Sequence, residues 1–149
     1  MAKYNTADLR NVGVIGHGDT GKTTLVSACL FTSGAQNRLG RVEDGNAVTD
    51  FDAQEVERQI SIQAALAHTD WKGAQITFID TPGYAVFRSE TKGALRVADG
   101  AVVVVDALAG VDVMTEKVWQ YRRDDSIPAI IVINRLDREN TDFAHAVET

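Results

Sequence analysis

Gly16-His17-Gly18-Asp19-Thr20-Gly21-Lys22-Thr23 is the stretch on which the fold turns. It matches the pattern GxxxxGK[ST] in full. It stands between a short apolar run, Asn11 to Ile15, and a segment where Leu25, Val26, Cys29 and Leu30 recur at helical spacing. A chance match in a chain of 149 residues has odds of about 0.5% at average residue usage. A strand, a glycine turn and a helix in that order make a phosphate cradle. The glycines let backbone N–H groups converge on phosphate oxygens, and the helix start adds the positive end of its dipole. Lys22 then reaches the β and γ phosphates, and Thr23 presents a hydroxyl to Mg²⁺. Thr24 completes the run of candidate nucleotide-binding residues that begins at Gly16.

Outward from this turn, apolar strand-like runs alternate with helical patterns, the signature of βαβ units around a mainly parallel, buried sheet. Gly34 is placed to end the first helix, and Cys29 reads as core because no charged activator sits beside it. Thr32 to Ser61 is polar, glycine-dotted and aperiodic, longer than a packing loop, which marks it as a mobile switch. Ile62 to Trp71 and Gln75 to Asp80 are expected to pair as an antiparallel hairpin about Lys72 and Gly73, with His68 a plain sheet residue. Phe87, Ala94, Leu95 and Ala98 make the next helix, Ala101 to Asp106 a buried strand, and Val111, Met114, Val118 and Tyr121 another helical stripe. Ala129 to Asn134 is the last strand. Met114 and Trp119 read as packing residues, His145 carries no chemistry, and Arg122 to Asp125 reads as a solvated helix end before Pro128.

Two strand ends carry further chemistry. Asp80-Thr81-Pro82-Gly83 follows the apolar run Ile76 to Ile79, so a carboxylate stands at the C-terminal edge of the sheet, where ligands of such sheets bind. Asp80 can reach the shell of a Mg²⁺ ion, and Gly83 offers an N–H that no side chain blocks. Asn134-Arg135-Leu136-Asp137 closes the last strand. A carboxylate at Asp137 can accept both N1–H and N2–H₂ of guanine, a donor pair that adenine lacks. Asn134 ties this loop to the phosphate loop and the base, and Arg135 can lay its guanidinium plane along the purine.

Composition narrows the class. Lys plus Arg total 15 against 21 Asp plus Glu, a net charge of −6, which argues against a basic module that coats nucleic acid, DNA included, or an anionic membrane nonspecifically, so any RNA partner must be met locally. The longest apolar runs fall far short of the roughly 20 residues of a membrane-spanning helix. Residues 1–10 hold no apolar leader, and a lone cysteine fits a reducing compartment, so the cytoplasm is expected.

In order, the words GHGDTGKT, DTPG and NRLD resemble the first, third and fourth signature motifs of the translational GTPases, and most closely those of elongation factor G and its paralogues. Leu9-Arg10-Asn11-Val12-Gly13, Glu57-Arg58-Gln59-Ile60-Ser61-Ile62, Asp99-Gly100-Ala101 through Asp106, and Gly110-Val111 look like the same family's G domain. The resemblance implies an α/β, P-loop NTPase fold with a mainly parallel sheet flanked by helices. Residues 1–149 would form one GTP-binding domain, incomplete at the C-terminus, where the Ser-Ala loop, the sixth strand and the last helix are expected. It further implies GTP and GDP as ligands, Mg²⁺, a ribosomal partner, a monomer, and hydrolysis of GTP. Ser61 falls where the family carries a threonine that binds Mg²⁺ and senses the γ-phosphate. Tyr84 replaces the histidine that positions attacking water, and a phenol hydrogen-bonds water but is a poor base near neutrality. With Arg135 for a lysine and Gln59 for a glycine, the set resembles the elongation factor G-like paralogues. Two alternatives stand beside this reading: a GTP-binding switch with little hydrolysis, and a ribosomal protection or release-factor role.

Overall fold

In the computed structural model, which describes residues 4–148, five strands share one sheet: β1 (Leu9–Ile15), β2 (Ala65–Trp71), β3 (Ala74–Asp80), β4 (Gly100–Asp106) and β5 (Ala129–Asn134). Their order is β2-β3-β1-β4-β5; β2 is antiparallel to β3, and the other neighbours are parallel. The helices are α1 (Lys22–Thr32), α2 (Ala53–Arg58), α3 (Arg88–Leu95), α4 (Val113–Asp124) and α5 (Phe143–Glu148). The expected architecture, a mainly parallel sheet flanked by helices, is what forms.

Alternation along the strands builds a core on each side of the sheet. Val14 and Val104 pack with Val26 and Leu30 of α1, whereas Ile15, Val103 and Val105 pack with Leu95 of α3 and Met114 and Val118 of α4. Because residues 12–15 of β1 and 101–105 of β4 are covered on both faces, these stretches read in sequence as apolar runs. The β2–β3 hairpin turns at Lys72 and Gly73, with φ of 49° and 87°, the pair of left-handed residues that a two-residue type I′ turn requires. No helix among the described residues is long and apolar enough to cross a membrane.

Several element boundaries differ from the sequence expectation for definite reasons. β1 starts at Leu9 because Leu9 and Arg10 pair with Gln75 and Ile76 at an exposed sheet end, where no apolar pattern is needed. The helix read through Ala98 is a 3₁₀ turn, Ala85–Phe87, followed by α3, which stops at Leu95. The chain leaves the helix there to set Asp99 against Asn11, with Asn11 N–H donating to Asp99 Oδ2 at 2.7 Å. Val111 lies outside α4 because Asp112 caps that helix, its Oδ1 accepting from the Met114 and Thr115 amides at 2.8 and 2.9 Å.

The segment 32–61 is not all loop, since it contains α2, opened by an Asp52/Glu55 capping box. Arg122 is not simply solvated. Its guanidinium lies 3.7 Å over the Trp119 ring and donates to the Ile127 carbonyl at 3.2 Å. Cys29 is half-buried, and burial pushes its thiol pKa up, away from reactivity.

Candidate nucleotide-binding site

Three loops at the C-terminal edges of β1, β3 and β5 bring most of the expected residues together. The loop after β1 runs into α1, whose first residue is Lys22. Its buried Nζ donates to the His17 carbonyl at 2.6 Å. Burial lowers the Lys22 pKa to about 8, against the opposing pull of Asp80, Asp19, Asp112 and Asp50. A buried ammonium that has only a carbonyl for a partner is poised for an anionic ligand.

Beneath it lies a cluster of hydroxyls and carboxylates. Thr23 Oγ1 donates to Asp80 Oδ2 at 2.8 Å, and Thr49 Oγ1 donates to the same oxygen at 2.7 Å. Ser61 Oγ is 3.2 Å from Thr23 Oγ1 and donates to Asp50 Oδ1 at 2.8 Å. Burial raises the Asp80 and Asp50 pKa values, while the hydroxyl bonds act in the opposite direction. Asp80 Oδ1 is buried without a hydrogen-bond partner among the described residues. An orphaned carboxylate oxygen beside three hydroxyls is a donor set of the hard, oxygen-only kind that suits Mg²⁺. Thr23, Ser61 and Asp80 therefore fit a metal of that type.

Gly83 and Tyr84 roof this cluster. A Cβ on Gly83 would fall 2.4 Å from both the Gly18 nitrogen and Lys22 Nζ, so only glycine allows this loop to lie so close to the phosphate loop. Tyr84 donates its phenolic proton to Asp19 Oδ2 at 2.7 Å, and that bond is the chief reason its pKa rises. Gly18, Asp19, Lys22, Asp50, Ser61 and Tyr84 are among the residues lining the resulting cleft, of about 160 Å³.

At the third loop, Asn134 Nδ2 donates to the Thr20 carbonyl at 2.8 Å, joining the NRLD turn to the phosphate loop. Arg135, with φ of 64°, directs its guanidinium to Asp106 Oδ2 at 3.0 Å. Asp137 is exposed.

Some expected residues contribute otherwise. The His17 side chain turns away from the cleft, with Nδ1 3.1 Å from Asp112 Oδ2, and it serves the loop through its carbonyl, which also accepts from Thr20 Oγ1 at 3.1 Å. The Thr81 hydroxyl is fully buried and donates to the Val14 carbonyl at 2.8 Å, and the Pro82 carbonyl accepts from Thr91 at 3.1 Å, so both hold the turn. Thr24, by contrast, lines the cleft as expected, exposed on the first turn of α1. Thr49, Asp50 and Asp106 were not singled out in the sequence. The first two sit in a polar stretch without periodicity, and their role depends on how that stretch folds back. Asp106 is simply the last residue of an apolar strand.

The family model for the elongation factor Tu GTP binding domain matches residues 7–149. Ribosome-releasing factor 2, mitochondrial, of Pongo abelii is 47% identical over 143 residues, 96% of this chain and 18% of that protein. Elongation factor G of Thermotoga petrophila is 45% identical over 149 residues, 99% of this chain and 21% of that protein. A crystal structure of a Thermus thermophilus protein superposes with a TM-score of 0.90 at 37% identity, over 95% of this chain and 21% of that one. The bacterial selenocysteine-specific elongation factor EF-Sec superposes with a TM-score of 0.75 at 26% identity, over 93% of this chain and 22% of that one. The chain thus spans about a fifth of the length of these relatives. The three motif loops, their convergence on one cleft and a match over nearly every residue lead to one conclusion: the chain belongs to the elongation factor Tu GTP binding domain family, as a G domain of the elongation factor G and ribosome-releasing factor type.

Proposed function

We propose that this domain binds GTP and GDP with Mg²⁺ and hydrolyses GTP, as one part of a longer protein that works on the ribosome. The observation that carries the reading is the meeting of Lys22, Thr23 and Asp80, with its orphaned oxygen, under the Gly83 turn. Lys22 neutralises charge on the β and γ phosphates, and the amide of Gly83 approaches the γ-phosphate. Thr23, Ser61 and Asp80 would hold Mg²⁺, which when bound supplies further charge neutralisation at those phosphates. Asp137 selects guanine through its paired donors, and Asn134 fixes the base loop to the phosphate loop. Tyr84 lies beside the attacking water. The water oxygen bonds to the γ-phosphorus as the bond to the bridging oxygen breaks, and GDP leaves with that electron pair. The water's proton passes to a phosphate oxygen, and positioning rather than covalent help carries the rate.

The working form is a cytoplasmic monomer without DNA or membrane partners. The net charge of −6 supports the exclusion of nonspecific polyanion binding. The near-equal identities to elongation factor G and to ribosome-releasing factor 2 support a job on the ribosome. The test is GTP hydrolysis by the full-length protein with and without ribosomes. Mg²⁺-dependent turnover that ribosomes accelerate is expected, whereas tight GTP binding without turnover under either condition would leave a non-hydrolytic switch.

A further inference from the structure

Tyr84 follows the Gly83 turn, and the structure gives it a defined place. Its ring lies over Gly18: a Cβ on residue 18 would sit 2.8 Å from the ring carbon bearing the hydroxyl and 3.0 and 3.1 Å from the two adjoining carbons. No left-handed φ is involved at Gly18, so the glycine makes space for the ring rather than easing the backbone. The hydroxyl points to the next residue, Asp19, whose carboxylate accepts its proton at 2.7 Å. The two residues together fix both the ring and its one rotatable proton.

A phenol has one proton to donate and two lone pairs. With the proton committed to Asp19, the oxygen is left as an acceptor only. We propose that Gly18 and Asp19 form a seat that holds the Tyr84 ring over the phosphate loop and commits its proton to Asp19, so that the phenolic oxygen orients attacking water by accepting a hydrogen bond from it. Asp19 is then a positioning residue that acts through Tyr84. The seat gives the phenol the one property it shares with a neutral imidazole nitrogen, a fixed acceptor, without requiring it to act as a base. This rests on the GTPase reading given above, but the seat itself can be tested apart from hydrolysis.

Two measurements on the full-length protein decide it. The first is the titration of Tyr84, read as the near-295 nm absorbance difference between the parent and Tyr84→Phe. Asp19 holds the phenol above the usual value, so Asp19→Ala should move this titration down toward about 10. Gly18→Ala, which pushes the ring off its seat, should move it in the same direction. An unchanged titration in both variants overturns the seat, whatever the protein does with GTP.

The second is a double-mutant cycle in single-turnover GTP hydrolysis on ribosomes at saturating GTP. Asp19→Ala should slow the parent about tenfold and make less than a twofold difference in the Tyr84→Phe background. Asp19→Asn, which keeps an acceptor oxygen, should restore most of the rate. Equal losses in the two backgrounds would mean that Asp19 acts independently of Tyr84 and would overturn the proposal. Absence of hydrolysis in every protein, with the titration shifted as expected, would remove the hydrolytic reading and with it the water-orienting part, while the seat would stand.

Discussion

Asn134 and Thr20 are joined by a side-chain-to-backbone hydrogen bond of 2.8 Å across 114 residues of chain. It is the direct mechanical link between the loop assigned to the base and the loop assigned to the phosphates. Asn134→Ala leaves the Thr20 carbonyl, in a buried residue, without that donor. A loss of about 1–2 kcal/mol in urea unfolding is expected, together with weaker GDP binding. Unchanged stability and unchanged GDP affinity would show that the two loops are positioned separately.

Glu55 is the most deeply buried carboxylate outside the cleft cluster, at 1% exposure. Its Oε1 accepts from the Ile62 and Gln63 amides at 2.8 and 3.1 Å, and its Oε2 from the Asp52 amide at 3.2 Å. These bonds hold the turn that delivers Ser61 to Thr23. Glu55→Ala should cost about 2 kcal/mol and speed hydrogen exchange at Ile62 and Gln63. Protection at those amides equal to the parent's would assign the positioning of Ser61 to other contacts.

Gln59 ends α2 with φ of 55°, in the left-handed region that glycine enters at little cost. Gln59→Gly is therefore expected to stabilise the protein by about 0.5–1 kcal/mol despite the added freedom of the unfolded chain. A lower denaturation midpoint for the variant would show that the Gln59 side chain has a compensating role.

The fold was legible where burial dictates pattern. β4 and the β2–β3 hairpin follow from an apolar run and a Lys-Gly turn, because a strand covered on two faces and a tight turn each allow few residue types; β5 shows the same apolar run although Ile130 and Ile131 are exposed at the sheet edge. α2 and α5, six residues each, are too short to show a 3.6-residue period, and only the Asp52/Glu55 capping box marks α2 in advance. At the site, Lys22, Thr23, Asp80, Gly83 and Asn134 were legible from motifs, which are local. Thr49, Asp50, the Tyr84–Asp19 bond and the Arg135–Asp106 pair were not, since each joins residues far apart in sequence with no pattern of its own.

Asp106 provides a pH signature. Burial alone would raise its pKa, but the Ala109 and Leu108 amides and the Arg135 guanidinium outweigh that effect and hold the carboxyl below the ordinary carboxylate value. The unfolded chain, with a pKa of about 3.9, therefore takes up the proton first as pH falls. The stability that Asp106 contributes is complete above that value and is lost as pH falls through the folded one. Asp106→Asn keeps the shape and an acceptor oxygen but lacks the charge. The parent should be the more stable at pH 7, and the gap should shrink by pH 3 in urea unfolding. A gap that stays constant across this range would remove the charge of Asp106 from the account.

We propose that this cleft is built for a guanine nucleotide, with Asp137 as the residue that reads the base. The most direct test is competition of GTP, ATP and xanthosine triphosphate against a fluorescent GDP on the full-length protein, with and without Asp137→Asn. Asp137 is exposed, so the substitution should leave the fold intact. GTP should outcompete ATP by about 100-fold or more on the parent, and Asp137→Asn should weaken GTP and admit the xanthine nucleotide, whose 2-oxo group accepts from an amide. Equal affinities of the parent for GTP and ATP, or a variant with the parent's preference, would contradict the assignment.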